Sequence, residues 1–173
     1  MSTGSVVWMT GRSGAGKSTL GASLVSASLR TVLLDGDIIR EHISSDLGYD
    51  KPARSEHARR VAGMARMLAD QGFHVIVTLI SPFAEDRQRA RGVIGADRFL
   101  LVYVKAHPET CERRDPKGLY ARARQGSLQN LIGFPYEEPT DADVIVNTDE
   151  VDPEEGASMV RRRIGTMRGR AGI

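Results

Sequence analysis

The chain has a single cysteine, Cys111, so it has no partner for an internal disulfide and no second thiol for a zinc cluster. No apolar run approaches the roughly 20 residues that span a bilayer. The first residues, MSTGSVVWMTG, lack a basic stretch followed by a long apolar one. Neither a membrane span nor a signal peptide is therefore expected, and a reducing, cytoplasmic location fits these absences. Charge of one sign is missing too. Twenty-four basic and 22 acidic residues leave a net +2, which makes no general case for nucleic acid as a partner. Lysine is scarce: Lys17, Lys51, Lys105 and Lys117 are the only four. The other basic residues are arginines, which suit planar recognition of phosphate or carboxylate, although a GC-rich genome produces the same bias.

What is present fits one globular domain over residues 1–173, with 40% hydrophobic and 27% charged residues. Short β-type runs alternate with helical ones, which predicts an α/β fold with a parallel sheet flanked by helices. Strands are expected at Ser5–Thr10, Thr31–Leu34, Phe73–Leu79, Phe99–Val104 and Asp143–Val146. The third, FHVIVTL, is apolar throughout and is expected to be central and covered on both faces. Helices are expected from Lys17 to Leu29 and from Ser55 to about Gln71, the latter stopped by Gly72. Ser81-Pro82 reads as a helix cap followed by proline at the first position, opening a helix through Arg91. Asp152-Pro153 repeats that signal before a closing helix. Between the last two strands the chain is charged and rich in glycine and proline, and a segment from about 105 to 136 is expected to act as a lid.

Gly11-Arg12-Ser13-Gly14-Ala15-Gly16-Lys17-Ser18 fits G-x-x-x-x-G-K-[ST], after an apolar strand and at the start of a helix. In such a loop the glycines let backbone N–H groups turn inward around phosphates, and the helix N-terminus adds a favourable dipole. Lys17 reaches the β- and γ-phosphates, and the Ser18 hydroxyl is a Mg²⁺ ligand. This predicts a nucleoside triphosphate site. A GTPase would need a base-reading N-K-x-D, and the corresponding place holds Asn147-Thr148-Asp149-Glu150. The acidic pair follows strand two instead, as Asp35-Gly36-Asp37. One carboxylate is expected to orient the metal and its waters and the other to accept a proton from an attacking hydroxyl, and one of the two also to cap the next helix. The pattern is that of a small-molecule kinase.

Several ordered motifs then carry a resemblance. They are the phosphate loop Gly11–Thr19, Leu34-Asp35-Gly36-Asp37 with Arg40, Asp46-Leu47-Gly48-Tyr49, and Glu56 with Arg59-Arg60. Ile80-Ser81-Pro82-Phe83 with Asp86-Arg87 follows, then Cys111 to Tyr120 with Ala123-Arg124, and Pro135-Tyr136-Glu137 with Pro139. Over roughly Val7 to Thr148 the chain resembles the adenylylsulfate (APS) kinases, which phosphorylate the 3′-hydroxyl of adenosine 5′-phosphosulfate using ATP and Mg²⁺. The resemblance implies a P-loop kinase-like α/β/α architecture with a five-stranded parallel sheet, and a nucleotide site formed by Gly11, Ser13, Gly14, Ala15, Gly16, Lys17, Ser18, Thr19, Arg114 and Thr148. Asp37 would be the base or orienting group, supported by Asp35. Arg40 and Arg54 would hold the phosphosulfate end, with Lys117 closing on it, and Tyr49 would stack on the substrate adenine. His57, Ile80 and Leu131 occupy further substrate positions. Ser81 matches a serine carried in the family as a phosphorylated intermediate. Read as a helix cap with no adjacent base it is a poor nucleophile, which favours direct in-line transfer. A homodimer is the expected assembly, with no nucleic-acid or membrane partner.

The chain departs from the family pattern at Ile38 and His57, each in place of asparagine, and at Leu131, in place of an aromatic wall of the adenine pocket. These departures keep open a same-fold kinase acting on another nucleotide-like acceptor. The four histidines show no metal-ligand spacing, and His74 reads as a core or strand-end residue. Met64 and Met67 read as packing, Cys111 as structural, Arg87, Arg89 and Arg91 as surface, and the Arg161–Arg170 tail as a solvated helix end.

Overall fold

Val6, Val7, Trp8 and Met9 leave almost no side-chain surface exposed, and their alternation explains the architecture. Val6 and Trp8 point to one face of a sheet and Val7 and Met9 to the other, so both faces must be covered. The computed structural model describes residues 4–25, 30–114, 118, 120 and 136–168. It contains strands β1 (Val6–Thr10), β2 (Thr31–Asp35), β3 (His74–Thr78), β4 (Phe99–Lys105) and β5 (Val144–Asn147). They form one parallel sheet in the order β2-β3-β1-β4-β5. The described helices are α1 (Lys17–Val25), α2 (Gly36–His42), α3 (Lys51–Asp70), α4 (Ala84–Ile94), α5 (Pro108–Arg114) and α6 (Pro153–Arg168).

On one face, α3 and α4 pack Ala58, Val61, Ala62, Ala65, Ala69, Ala90 and Ile94 against Trp8, Val75, Val77 and Leu101. The run of alanines lets α3 approach the sheet closely, because none carries a side chain beyond Cβ. On the other face, α1 and α6 bring Leu20, Leu24, Ala157 and Val160 onto Met9, Ile76, Leu100 and Val102. The expected three-layer α/β/α arrangement and five parallel strands are therefore found. No described helix is long and apolar enough to cross a membrane.

The expected strands match to within two residues at either end. β3 is an interior strand as expected, although the middle of the sheet is β1. Helix α3 starts four residues earlier than its apolar spacing indicated. Asp50 caps it, its side chain accepting from the Ala53 N–H at 2.9 Å, and Pro52 lies in the first turn. The short helix α2 directly after Asp35 follows from the capping alternative, with Asp35 accepting from the Asp37 N–H at 3.0 Å. The lid segment opens with a helix, α5.

Helix α4 is the main correction. It begins at Ala84, not after Ser81, and Ser81 is no cap. Ser81 has a positive φ of 42° and is buried at 6% exposure. Its carbonyl accepts from Arg87 at 2.8 Å and from the Thr10 hydroxyl at 3.1 Å, and its hydroxyl lies 3.4 Å from the Trp8 indole N–H. The Glu137 carboxylate takes the capping role, accepting from the Ala84 N–H at 2.6 Å. Arg87 is thus a buried strut, 3% exposed, rather than a surface residue; its second amino group donates to the Glu137 carbonyl at 2.8 Å. Met67 is the reverse case: it is 64% exposed, while Met64 packs on the core as expected.

Candidate active site

The C-terminal ends of parallel strands converge on one edge, where α/β folds place their ligands. β1 runs there into the loop Gly11–Gly16 and then into α1. Two glycines meet conditions no other residue meets easily. Gly14 has φ 78°, and a Cβ there would lie 2.5 Å from the Cys111 carbonyl oxygen. Gly36 lets the start of α2 sit against β3, since a Cβ would lie 2.9 Å from the Thr78 carbonyl oxygen.

The loop is braced from several elements. The Thr148 hydroxyl, just past β5, donates to the Ala15 carbonyl at 2.9 Å, and Arg114 on α5 donates to Thr148 at 2.9 and 3.0 Å. The Tyr120 hydroxyl donates to the Ser13 carbonyl at 3.0 Å. Lys17 folds over the loop, with Nζ donating to the Gly11 and Arg12 carbonyls at 2.8 Å each. Cys111 is fully buried among apolar neighbours, and burial pushes its thiol up, consistent with a packing residue.

The acidic pair divides its labour. Asp35 Oδ2 accepts from Ser18 at 2.8 Å and from Thr78 at 2.9 Å, which joins α1, β2 and β3 at one oxygen. Asp37, on the first turn of α2, is exposed toward the cavity. Thr78 escaped the sequence reading; its only signal was its place at the end of an apolar parallel strand.

Beyond Asp37 lies a cationic pocket. Arg40 donates to the Gly48 carbonyl at 2.8 Å and lies 4.7 Å from the centre of the Tyr49 ring. Arg54 donates to the Tyr49 carbonyl at 2.8 Å and lies 5.8 Å from the same ring. Burial, more than any neighbour, holds both guanidinium groups below their ordinary range. The loop carrying Tyr49 is tied to α3 by Arg60, which grips Asp46 at 2.6 and 2.7 Å and Glu56 at 3.0 Å. These family-like residues therefore shape the pocket without lining it.

His57 lies one turn after Arg54 and is buried at 5% exposure. Burial pushes its imidazole down to about 4, and the charge of Arg40 adds to this, against a hydrogen bond to the Gly36 backbone and the charge of Asp37. An unfolded chain takes up a proton at this histidine near its ordinary value of about 6.5. Stability present above that pH is therefore lost as pH falls toward 4. In urea unfolding between pH 7 and 4.5, the wild type is expected to lose stability more steeply than His57→Asn. Parallel losses would show that His57 is not the responsible group.

One cavity of about 590 Å³ joins the two halves. Of the expected site residues, it brings together Ser13, Gly14, Gly16, Lys17, Ser18, Thr19, Asp37, Arg40, Tyr49, Arg54, His57, Ile80, Ser81 and Arg114. Gly11, Ala15, Asp35 and Thr148 stand directly behind its wall through the bonds given above. Lys117 and Leu131, and with them most of the lid, lie outside the described residues. At the far end of that segment, Tyr136 is anchored by its hydroxyl 2.9 Å from Thr10 Oγ1 and by its ring 6.0 Å from that of Tyr103.

Comparison with known proteins agrees with this geometry. The profile of the family described as adenylylsulphate kinase matches residues 3–147. The adenylyl-sulfate kinase of Paraburkholderia xenovorans is 42% identical over 170 residues, 95% of this chain and 94% of that protein. The adenylyl-sulfate kinase of Burkholderia ambifaria is 45% identical over 165 residues, 92% and 91% of the two chains. The structure of the Mycobacterium tuberculosis APS kinase in complex with AMPPNP and APS superposes with a TM-score of 0.89 at 37% identity, covering 95% of this chain and 99% of that one. The chain belongs to the adenylylsulphate kinase family.

Proposed function

We propose that this chain transfers the γ-phosphoryl group of ATP to the 3′-hydroxyl of adenosine 5′-phosphosulfate, giving ADP and 3′-phosphoadenosine 5′-phosphosulfate. The observation that carries this reading is the single cavity with the phosphate loop at one end and Asp37, Arg40, Tyr49 and Arg54 at the other. A donor and an acceptor bound there face each other across Asp37. The acceptor oxygen forms a bond to the γ-phosphorus as the bond to the β–γ bridging oxygen breaks. Asp37 takes the proton that the hydroxyl releases. Lys17, leaving its loop carbonyls, and the loop N–H groups balance the charge that gathers on the phosphoryl oxygens. Arg40 and Arg54 hold the anionic end of the acceptor, and Tyr49 offers its ring to the base.

The paired Ser18 hydroxyl and Asp35 carboxylate are hard oxygen donors and fit Mg²⁺, which would come with the nucleotide and supply further neutralisation of phosphate charge. Among the described residues no cluster of three or more His, Cys, Asp or Glu forms a self-sufficient metal cage, in keeping with an ion shared with substrate phosphates.

Ser81 is best read as a wall of the site. Buried, at positive φ and fastened through its carbonyl, it is positioned by the fold. Ser81→Ala is expected to keep kcat within about tenfold of wild type, the loss of one modest hydrogen bond. A fall to background in steady-state assays would support a covalent phosphoserine instead.

A second reading, the same chemistry on another nucleotide-like acceptor, is favoured by the imidazole that His57 places in the acceptor pocket. ADP release with adenosine 5′-phosphosulfate, set beside the plain 5′-monophosphates of adenosine, cytidine and uridine, separates the two.

A further inference from the structure

Arg87 on α4 is a buried cation held by neutral groups. It is 3% exposed, and among the described residues it pairs with no carboxylate. The carboxylate beside it, Asp86, accepts from Ser55 on α3 instead, at 2.8 Å. The two amino groups of Arg87 each donate to one carbonyl, Nη1 to Ser81 and Nη2 to Glu137, both at 2.8 Å, and its buried Nε has no partner. Taking a guanidinium out of water for two neutral acceptors is costly, and an apolar side chain of similar size would fill the same volume at less cost. Packing alone therefore does not account for it.

What the guanidinium grips does. Ser81 sits at φ 42°, a left-handed conformation that is disfavoured for a residue carrying a Cβ. The Thr10 hydroxyl has one hydrogen, and its shorter contact is the Ile80 carbonyl, at 2.7 Å against 3.1 Å to Ser81. The Ser81 carbonyl thus depends on Arg87. The next carbonyl, that of Pro82, accepts at 2.9 Å from the N–H of Glu137, the other residue that Arg87 holds. Ile80, Ser81 and Pro82 line the cavity, whereas Arg87 does not. Leu79, one residue earlier, lies in the same core cluster as Ile39 of α2 and Ala58 of α3, the helices that carry Arg40 and Arg54. This wall belongs to the acceptor half of the site.

We propose that Arg87 is a positioning residue for the acceptor: its guanidinium holds Ser81 in the left-handed conformation that shapes the acceptor wall, and it acts on the reaction through Ser81 without touching either substrate. This rests on the function proposed above.

The test measures kcat and the KM values for adenosine 5′-phosphosulfate and ATP in Arg87→Met and Arg87→Lys, each made in wild type and in Ser81→Gly. Glycine adopts a positive φ at no steric cost, so it removes the need for the restraint. Arg87→Met is expected to raise the acceptor KM by about 10- to 100-fold, the scale of hydrogen bonds from a charged donor, and to leave the KM for ATP within about twofold. Arg87→Lys keeps one charged donor and should recover part of the loss. Measured against Ser81→Gly alone, the added Arg87→Met change should cost about threefold or less. Arg91→Met is the control for lost stability, since it breaks contacts with Asp143 at 3.4 Å and with the Phe99 ring, away from the cavity; both KM values should stay as in wild type. If Arg87→Met does not fold, the lysine variants carry the comparison. Equal rises in both KM values, no rise, or the same loss with serine and with glycine at position 81 overturns the inference and leaves the proposed function standing. If wild type does not turn over adenosine 5′-phosphosulfate, the function fails first. Urea unfolding of wild type, Ser81→Gly, Arg87→Lys and the double variant then decides: coupled losses support the hold of Arg87 on Ser81, and additive losses overturn it.

Discussion

Lys17→Ala is expected to lower kcat by about a thousandfold or more, the scale seen when a charge that meets a transferring phosphoryl group is removed. The ammonium group is held at the loop by two carbonyls at 2.8 Å, within the turn that would receive the phosphates. Moving onto a β- or γ-phosphate exchanges two neutral acceptors for an anion, so its contribution grows as charge develops. The fold should survive the change, because these two bonds lie within the loop itself and the core of α1 rests on Leu20 and Leu24. Thermal unfolding within a few degrees of wild type, together with the loss of rate, is the expected pair of results. A kcat within tenfold of wild type would remove the phosphate loop from the chemistry.

Asp37→Asn is expected to lower kcat by a factor of about 10² to 10⁴, the usual range for a positioned general base. The amide keeps the shape of the side chain, and the bond from the residue-37 backbone N–H to Asp35 is untouched. Loss of an interaction made only in the transition state lowers kcat and kcat/KM together and spares the KM for ATP. Asp35→Asn should behave differently. Its Oδ2 accepts from both Ser18 and Thr78, so that change disturbs the join of α1, β2 and β3 as well as the proposed metal position. Stability should fall with activity at Asp35 and remain nearly constant at Asp37.

Local chemistry made much of this site readable in the amino-acid sequence. The phosphate loop and its helix are neighbours in the chain, so a spacing of eight residues carries their geometry. Asp35 and Asp37 were readable for the same reason, and the alternative that one of them caps a helix holds for Asp35. The pocket residues Arg40 and Tyr49 were reached through ordered motifs, Arg54 through the resemblance those motifs carry, and His57 as a departure from the family pattern. Their closeness depends on α2 and α3 folding back across the strand ends, which no local pattern specifies.

The errors share a physical cause. Ser81-Pro82 satisfies the local rule for a capped helix start, but Thr10, Trp8 and Arg87 each contact Ser81 and hold it in a left-handed conformation that a cap does not adopt. The cap for α4 comes instead from Glu137, 53 residues from Ala84 in sequence. Arg87 was read as surface together with Arg89 and Arg91. Its burial depends on two carbonyl partners, one of them 50 residues away. Met67 shows the opposite limit, since helical spacing placed it near the core while the face it occupies looks outward. Long-range contacts decided the cases of Ser81 and Arg87, where tertiary packing outweighed local preference.

The assay to run before any other is coupled ADP release by the wild-type chain with ATP and Mg²⁺, offering adenosine 5′-phosphosulfate, the three plain 5′-monophosphates, or no acceptor. Turnover that requires adenosine 5′-phosphosulfate and falls to the no-acceptor level with the monophosphates is the predicted result. ATP binding without such turnover, or faster turnover of a plain monophosphate, would mean that the cavity beyond Asp37 serves another acceptor.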